Sequence, residues 1–310
     1  MRAVCLALVA LVSTACTGVA ASAPPVEVAM RNVDLRVTPD ITLQIRHLRG
    51  RFVARGTRQA PYLDDPRTYT VTVDTGEVAI DLDSLNALMT RTLRDHSNVR
   101  SLKVSIDQDG TLRQKGSVKK AVPLPFDIKS SVSATPDGRI RIHTESVKGF
   151  GLPVNGLLKL FGLEVDSLLK VEPGHGVTVD GNDLLLDPAM LLPPPAMNGK
   201  ITAVRIEGNA LVQTFGAGEP RTLTPPPIAK NYIYWRGGQL VFGKLTMTAT
   251  DLELVDEDPR DSFDFSVDRW KDQLVAGYSK TTPARGLKAH MPDYNDLPSR
   301  AAGPNQSSRR

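Results

Sequence analysis

Apolar and polar residues alternate at every second position through most of this chain. Val33, Leu35 and Val37 alternate with polar neighbours, and Ile41, Leu43 and Ile45 repeat the pattern with Thr42, Gln44 and Arg46 between them. A strand points successive side chains to opposite faces, so this spacing gives one apolar face and one wet face. Tyr69, Val71 and Val73 continue it, followed by Val78 and Ile80. Further on come Leu102, Val104 and Ile106, a run from Phe126 and Ile128 to Val132, and Ile140 with Ile142. Turn residues separate them at Asp107-Gln108-Asp109-Gly110, Pro136-Asp137-Gly138 and Asp180-Gly181-Asn182. Asp-Gly between alternating runs marks a hairpin, because glycine accepts the positive φ of the turn.

Two segments change period. Leu82, Leu85, Leu88, Met89 and Leu93 recur at helical spacing and predict a helix over Asp83–Arg94, capped by Asp81 or Asp83 and ending at Asp95–Asn98. A second helix is predicted from about Leu152 to Leu169. Pro153 stands in its first turn, and its apolar face carries Val154, Leu157, Leu158, Phe161, Val165, Leu168 and Leu169. Gly156 and Gly162 each weaken it by roughly 1 kcal/mol relative to Ala, so a kink or a short break before Glu164 is expected. The fold class is therefore α+β, mainly β.

Val177–Val179 and Leu184–Leu186 read as strands, as do segments containing Ile201, Val204 and Ile206, and Leu211 with Val212. Ile233 and Trp235, a turn at Arg236-Gly237-Gly238, and Leu240–Leu254 predict a last hairpin. Past Asp256 the alternation gives way to aspartates, prolines and isolated aromatics (Phe263, Phe265, Trp270, Tyr278). One weak helix is predicted over Asp264–Ala276, and the composition from Thr281 to Arg310 is that of a mobile tail.

The N-terminus carries a different signal. Met1-Arg2, an apolar run from Ala3 to Val12 and small residues after it make the three parts of an export sequence. The run falls short of the ~20 residues that span a bilayer. Cleavage after Ala20, Ala21 or Ala23 is one reading. Lipidation at Cys16 is the other, favoured by Thr14 and Ala15 and opposed by Ser13, where a branched apolar residue belongs. Both cysteines, Cys5 and Cys16, lie in this segment, so the remaining body has no disulfide and no thiol chemistry. The expected division is a signal over 1–23, a linker over 24–32, a folded domain over 33–256 and a partly disordered extension over 257–310. The expected location is the periplasm or cell envelope.

Chemical motifs are sparse. With 41% apolar and 23% charged residues the composition is globular, and no later segment is apolar enough to span a membrane. A net charge of +4, 5% aromatic residues and no helix-turn-helix or RNA-recognition pattern point away from nucleic acid. The basic run Arg46, His47, Arg49, Arg51, Arg55 and Arg58 reads as a solvated strand edge or as a patch for lipid phosphates. His47, His96, His143, His175 and His290 show no metal spacing, and there is no nucleophile elbow, phosphate loop or dinucleotide fingerprint, so no cofactor, metal or catalytic residue is assigned. Gly174-His175-Gly176 is the main local oddity, and reads first as a turn before a strand. Asp64-Asp65, Asp256-Glu257-Asp258 and Asp180 with Asp183 lack the ligand ladder of a calcium loop.

The stretch from Tyr69 through Asp81-Leu82-Asp83 to Met89, the segment Gly151-Leu-Pro-Val-Asn-Gly-Leu-Leu-Lys-Leu-Phe161 and the turn Val177-Thr-Val-Asp-Gly-Asn-Asp183 together resemble the LmeA-like (DUF2993) bacterial envelope proteins, over roughly Val33 to Phe215. Those proteins are similar to the TULIP superfamily of tubular lipid-binding domains. The resemblance implies a long curved antiparallel sheet wrapped around one or two helices, with an elongated apolar groove. It brings no catalytic residues; some relatives act on phospholipids, which keeps a lipid hydrolase among the readings, beside a non-enzymatic envelope assembly factor. The expected ligand is a lipid or phospholipid acyl chain, with a membrane surface as a further candidate partner. The residues expected to line its site are Leu85, Leu88, Met89 and Leu93 of the first helix and Leu157, Leu158, Phe161 and Leu168 of the second. Burial of each CH₂ of such a chain gains ~0.8 kcal/mol.

Overall fold

A computed structural model describes residues 24–56, 58, 60–119, 123–149, 152–153, 170–216 and 229–297. The chain is α+β, mainly β, with a curled sheet. Three long strands form its centre: β1 (Val26–Thr38), β2 (Ile41–Ala54) and β3 (Tyr69–Asp81), paired antiparallel in sequence order. Helix α1 (Leu82–His96) follows at once, with Asp81 as its cap: the carboxylate accepts from Ser84 N at 2.7 Å. Next come β4 (Val99–Ile106), β5 (Leu112–Val118), β6 (Leu124–Ala134), β7 (Ile140–Gly149) and the two-residue β8 (Leu152–Pro153). After residue 170 follow β9 (Val177–Asp180), β10 (Asp183–Leu186), the short α2 (Pro188–Leu191), β11 (Ala196–Asn198), β12 (Ile201–Glu207) and β13 (Ala210–Phe215). The last part holds β14 (Tyr232–Arg236), β15 (Leu240–Phe242), β16 (Leu245–Met247), β17 (Asp251–Asp256), β18 (Phe263–Ser266), α3 (Trp270–Ala276), β19 (Tyr278–Thr281) and β20 (Leu287–Met291).

The strands build a large sheet of order β12-β13-β3-β2-β1-β14-β17-β20-β19, a second sheet of order β4-β5-β6-β7-β10-β9, and the small β15–β16 hairpin. In the large sheet the inward-facing set changes parity partway along each central strand. In β1 it runs Val26, Val28, Met30 and then Val33, Leu35, Val37. In β2 it runs Ile41, Leu43, Ile45 and then Leu48 and Phe52; in β3, Tyr69, Val71, Val73 and then Val78 and Ile80. The switches lie beside one another, because Arg31 pairs with His47 and His47 with Glu77. At the switch in β1, Asn32 takes a φ of 51°, and the β2–β3 register slips between Ile45 and His47. Bulges bend a strand and increase its twist, so a row of them folds the sheet along one line.

The same line divides the sheet's borders. β14 pairs antiparallel with β1 over Glu27–Arg31, and β18 takes over in parallel from Val33 to Arg36. On the far side β11 pairs in parallel with Thr70–Thr72 of β3, and β13 pairs antiparallel from Gly76 to Asp81.

The second sheet has one charged face (Arg113, Lys115, Asp127, Lys129, Arg141, His143) and one apolar face. Its apolar residues join those of the large sheet in one continuous core. The two sheets meet at the β6–β7 turn, where Ile201 N donates to Gly138 O at 3.3 Å. Gly138 has φ 91°, and a Cβ there would come within 3.0 Å of Lys200, so only glycine allows this approach. Among the described residues no helix is long and apolar enough to cross a membrane.

Five expectations differ from the structure. Most of the predicted linker, Val26–Arg31, is strand held on both edges. Phe263–Ser266 is a buried parallel strand, so only Trp270–Ala276 of the predicted helix is helical. The long final arm is interrupted by the β15–β16 hairpin before β17 pairs with β14. The stretch after Thr281 contains β20, which pairs in parallel with β17 and fully buries Ala289 and Met291. β18 and β20, of four and five residues, are too short to show a period, and parallel partners far along the chain fix them instead. Residues beyond Asp256 thus extend the same sheet. Leu152-Pro153, predicted as the first turn of the second helix, is instead a two-residue strand paired with β7; the rest of that helix and the N-terminal signal lie outside the described residues.

Candidate functional site

Helix α1 is fixed against both sheets by its own polar residues. Asn86 donates to Val104 O at 2.9 Å and accepts from Val104 N at 2.7 Å, which pins the helix to β4 as a strand partner would. Ser84 Oγ accepts from Thr42 N at 3.0 Å and ties it to β2. Between these anchors the apolar stripe of the helix faces inward: Leu85, Leu88, Met89 and Leu93 are all at most 6% exposed.

Three of the four border a recess. Leu85, Leu88 and Met89 meet Leu43, Val78 and Ile80 of the large sheet, Ile140 and Leu186 of the second sheet, and Leu191 of α2. Among the described residues Gln213 is the one polar side chain around it. The recess has a volume of about 40 Å³. Ligand pockets run to roughly 300–1,000 Å³, so the cavity as it stands holds a methyl group or two and no hydrocarbon tail. Leu93 packs in the core and does not border it. Leu157, Leu158, Phe161, Leu168 and Cys16 lie outside the described residues.

A second apolar void of about 40 Å³ straddles the bulge line where β1 passes from β14 to β18, and six rings border it: Phe52, Tyr69, Trp235, Phe242, Phe265 and Trp270. Phe52 stacks on Tyr69 at 4.7 Å and meets Trp235 edge-on at 5.6 Å, and Phe242 stacks on Trp270 at 4.4 Å. Burial pushes the Tyr69 hydroxyl far above its ordinary range, so it stays protonated. The Trp235 indole N–H, also buried, has no hydrogen-bond partner among the described residues.

The outer face of the large sheet is polar and largely self-neutralised. Arg46 bridges Glu77 and Glu207 at 2.6 Å each, Arg205 joins both carboxylates, and Arg51 pairs with Asp74 at 2.7 Å. Of the basic run seen in the sequence, Arg46 and Arg51 thus belong to cross-strand ion pairs. On the outer side of α1 lies a shallow polar groove of about 430 Å³, bordered by Asp40, Asn86, Thr90, Arg91 and Arg94.

The acidic pairs noted in the sequence are held internally: Asp64 by Lys271 at 2.7 Å, Asp65 by Arg67 at 2.8 Å, Asp258 by Arg260 and Asp183 by His143. A different acidic group forms in three dimensions from Asp256, Asp261 and Asp293, beside the buried Asn231. Burial first, and then the neighbouring carboxylates, push Asp293 up to about 7, against the lowering effect of the Asp264 N–H that it accepts at 2.7 Å. Burial raises Asp256 as well.

The structure also brings together residues that the sequence leaves scattered. His96, at the end of α1, lies beside Glu172 and His175. Only the glycines flanking His175 marked that position in advance; nothing in the sequence linked it to His96.

No family model, curated protein or solved structure matches the chain.

Proposed function

We propose that this is an exported envelope protein that shelters a lipid acyl chain against the inner face of the large sheet, beneath α1. The observation that carries the reading is the recess under Leu85, Leu88 and Met89, bounded by aliphatic side chains from both sheets. Its neighbours give further support. Leu102, Ile106, Leu124, Phe126, Ile128 and Val132 on the apolar face of the second sheet are only half-buried, which leaves apolar surface for a chain to cover. The resemblance to tubular lipid-binding domains supports the same reading.

The size of the recess sets the mechanism. A chain of a dozen carbons enters only if side chains yield, and the flexible ones on its border are Met89, Met197 and the leucines. Each CH₂ buried gains ~0.8 kcal/mol, so a long chain offsets the displacement where a short one does not. Arg94, and Arg91 once it leaves its exposed pair with Asp40 at 3.1 Å, could meet an anionic headgroup on the outer side of α1. A lipid hydrolase needs an activated nucleophile, and among the described residues no serine or threonine hydroxyl is hydrogen-bonded to a histidine ring.

The test is titration of delipidated protein with a fluorescent long-chain phospholipid, paired with native mass spectrometry of gently purified protein. Saturable binding that strengthens with chain length is expected. Leu88→Trp, which fills the recess, is expected to weaken it at least about tenfold while the protein remains folded. No bound lipid and no saturable uptake would sink the reading.

A further inference from the structure

We infer that His96, Glu172 and His175 form a surface site for a divalent transition metal of the zinc class, joining the end of α1 to the segment that leads into β9. The backbone already brings the two segments together. Ser97 and Val171 form an antiparallel bridge, Glu172 N donates to His96 O at 2.8 Å, and Asn98 N donates to Lys170 O at 3.1 Å. Asn98 Oδ1 accepts from Lys170 N at 2.9 Å and closes the clamp. Beyond Glu172 the chain reverses through Gly174 (φ 89°) and Gly176 (φ 75°), and this double left-handed turn carries His175 back over α1. A side chain at Gly176 would also collide with Leu191 at 2.9 Å, so the turn is fixed from below.

The result is three potential ligands around one point. Glu172 Oε2 lies 3.3 Å from His96 Nδ1 and 3.9 Å from His175 Nε2. All three ligand atoms fall within 4.8 Å of one another. Donor atoms of a tetrahedral zinc site stand about 3.3 Å apart, given metal–ligand bonds of about 2.0–2.2 Å. The two imidazoles stack face to face with centroids 3.5 Å apart and planes 8° from parallel. Parallel rings aim their nitrogen lone pairs side by side, so a metal turns the rings apart until those lone pairs converge. The histidine side chains are 35% and 37% exposed and have room to make this rotation.

Two imidazoles and one carboxylate suit zinc, and are too nitrogen-rich for magnesium or calcium. Three protein ligands leave a fourth position for water. The site lies at the far end of α1 from the Asp81 cap, and it is independent of the lipid reading.

Titration of the full chain, free of any affinity tag, with zinc chloride in a calorimeter is the direct test. One equivalent is expected to bind at micromolar concentration or below (on the order of 10⁻⁶ M), with a rise in melting temperature on saturation. His96→Ala and His175→Ala are each expected to weaken binding at least about tenfold, and Glu172→Gln by less. His143→Ala, which changes a histidine on the charged face of the second sheet, is expected to bind as the parent does. Cobalt(II) added to the unaltered chain is expected to give the intense visible bands of a tetrahedral site, a readout that depends on no variant. The absence of saturable zinc uptake, uptake unchanged in the His96→Ala/His175→Ala double variant, or octahedral cobalt bands alone would each overturn the assignment.

Discussion

Two small voids against the inner face of the large sheet solve the same packing problem with different side chains. Around one, at the bulge line, Phe52, Tyr69, Trp235, Phe242, Phe265 and Trp270 pack together, and β15, β18 and α3 close that end. The other, equally small, is bordered almost wholly by leucine, isoleucine, valine and methionine, and helices α1 and α2 cover it. Stacked rings have few rotamers and fixed contact geometry, so the aromatic end resists reshaping. Aliphatic chains repack with little loss, so the α1 end can change its internal volume. Two voids of the same size therefore differ in how readily they can be reshaped: one lies in a rigid aromatic corner, and the other where aliphatic side chains can give way.

The largest expected effect is at the rigid end. Trp270→Ala removes the ring stacked on Phe242 and is expected to cost about 3–5 kcal/mol in urea unfolding, with lipid binding by the folded protein unchanged. A cost below about 1 kcal/mol would show that the aromatic end is as yielding as the other. At the α1 end, Leu88→Ala is expected to cost about 2–3 kcal/mol, the lower part of the range for such a truncation, because one side of Leu88 already meets empty space. The same change enlarges the recess and is expected to increase lipid uptake, a gain that Trp270→Ala does not share. Equal uptake by both variants would erase the distinction between the two voids.

The smallest effect concerns the carboxylates beyond Asp256. Asp293 is raised to about 7 in the folded protein, so its neutral form is the one the fold favours. Its contribution is fully present below the ordinary carboxylate range and is lost as pH rises from about 4 through 7, where the unfolded chain ionises freely and the folded chain does so only at a cost. Asp256 shifts the same way and adds to the slope. Asp293→Asn retains an acceptor for the Asp264 N–H and removes the charge. It is expected to raise the melting temperature at pH 8 and leave it nearly unchanged at pH 4, by roughly 2–4 °C for each kcal/mol relieved. An equal shift at both pH values would show that packing, not ionisation, is responsible.

Much of the fold is legible in the residues themselves. Ile41, Leu43 and Ile45, and again Leu102, Val104 and Ile106, give their strands by alternation. Leu85, Leu88, Met89 and Leu93 give α1, and Asp81 its start. The turns at Asp107–Gly110, Pro136–Gly138 and Asp180-Gly181 give three hairpins. Strands β18 and β20 were hidden: each is short, and each takes its inward face from a parallel partner, β1 or β17, reached by a long crossover. The inward direction of the α1 stripe was visible in the sequence; the size of the space beneath it was not, since that depends on how closely residues from β3, β7, β10 and β13 approach.

The sequence by itself determined where the chain extends, where it coils and which side of each element shuns water, because those properties depend on neighbours two to four positions away. Only the tertiary structure decided that the three central strands change parity along one line, that Asp256 meets Asp293 and that His96 lies against His175. Such meetings are set by the packing of whole sheets, and a residue's local pattern carries no address for a partner dozens of positions away.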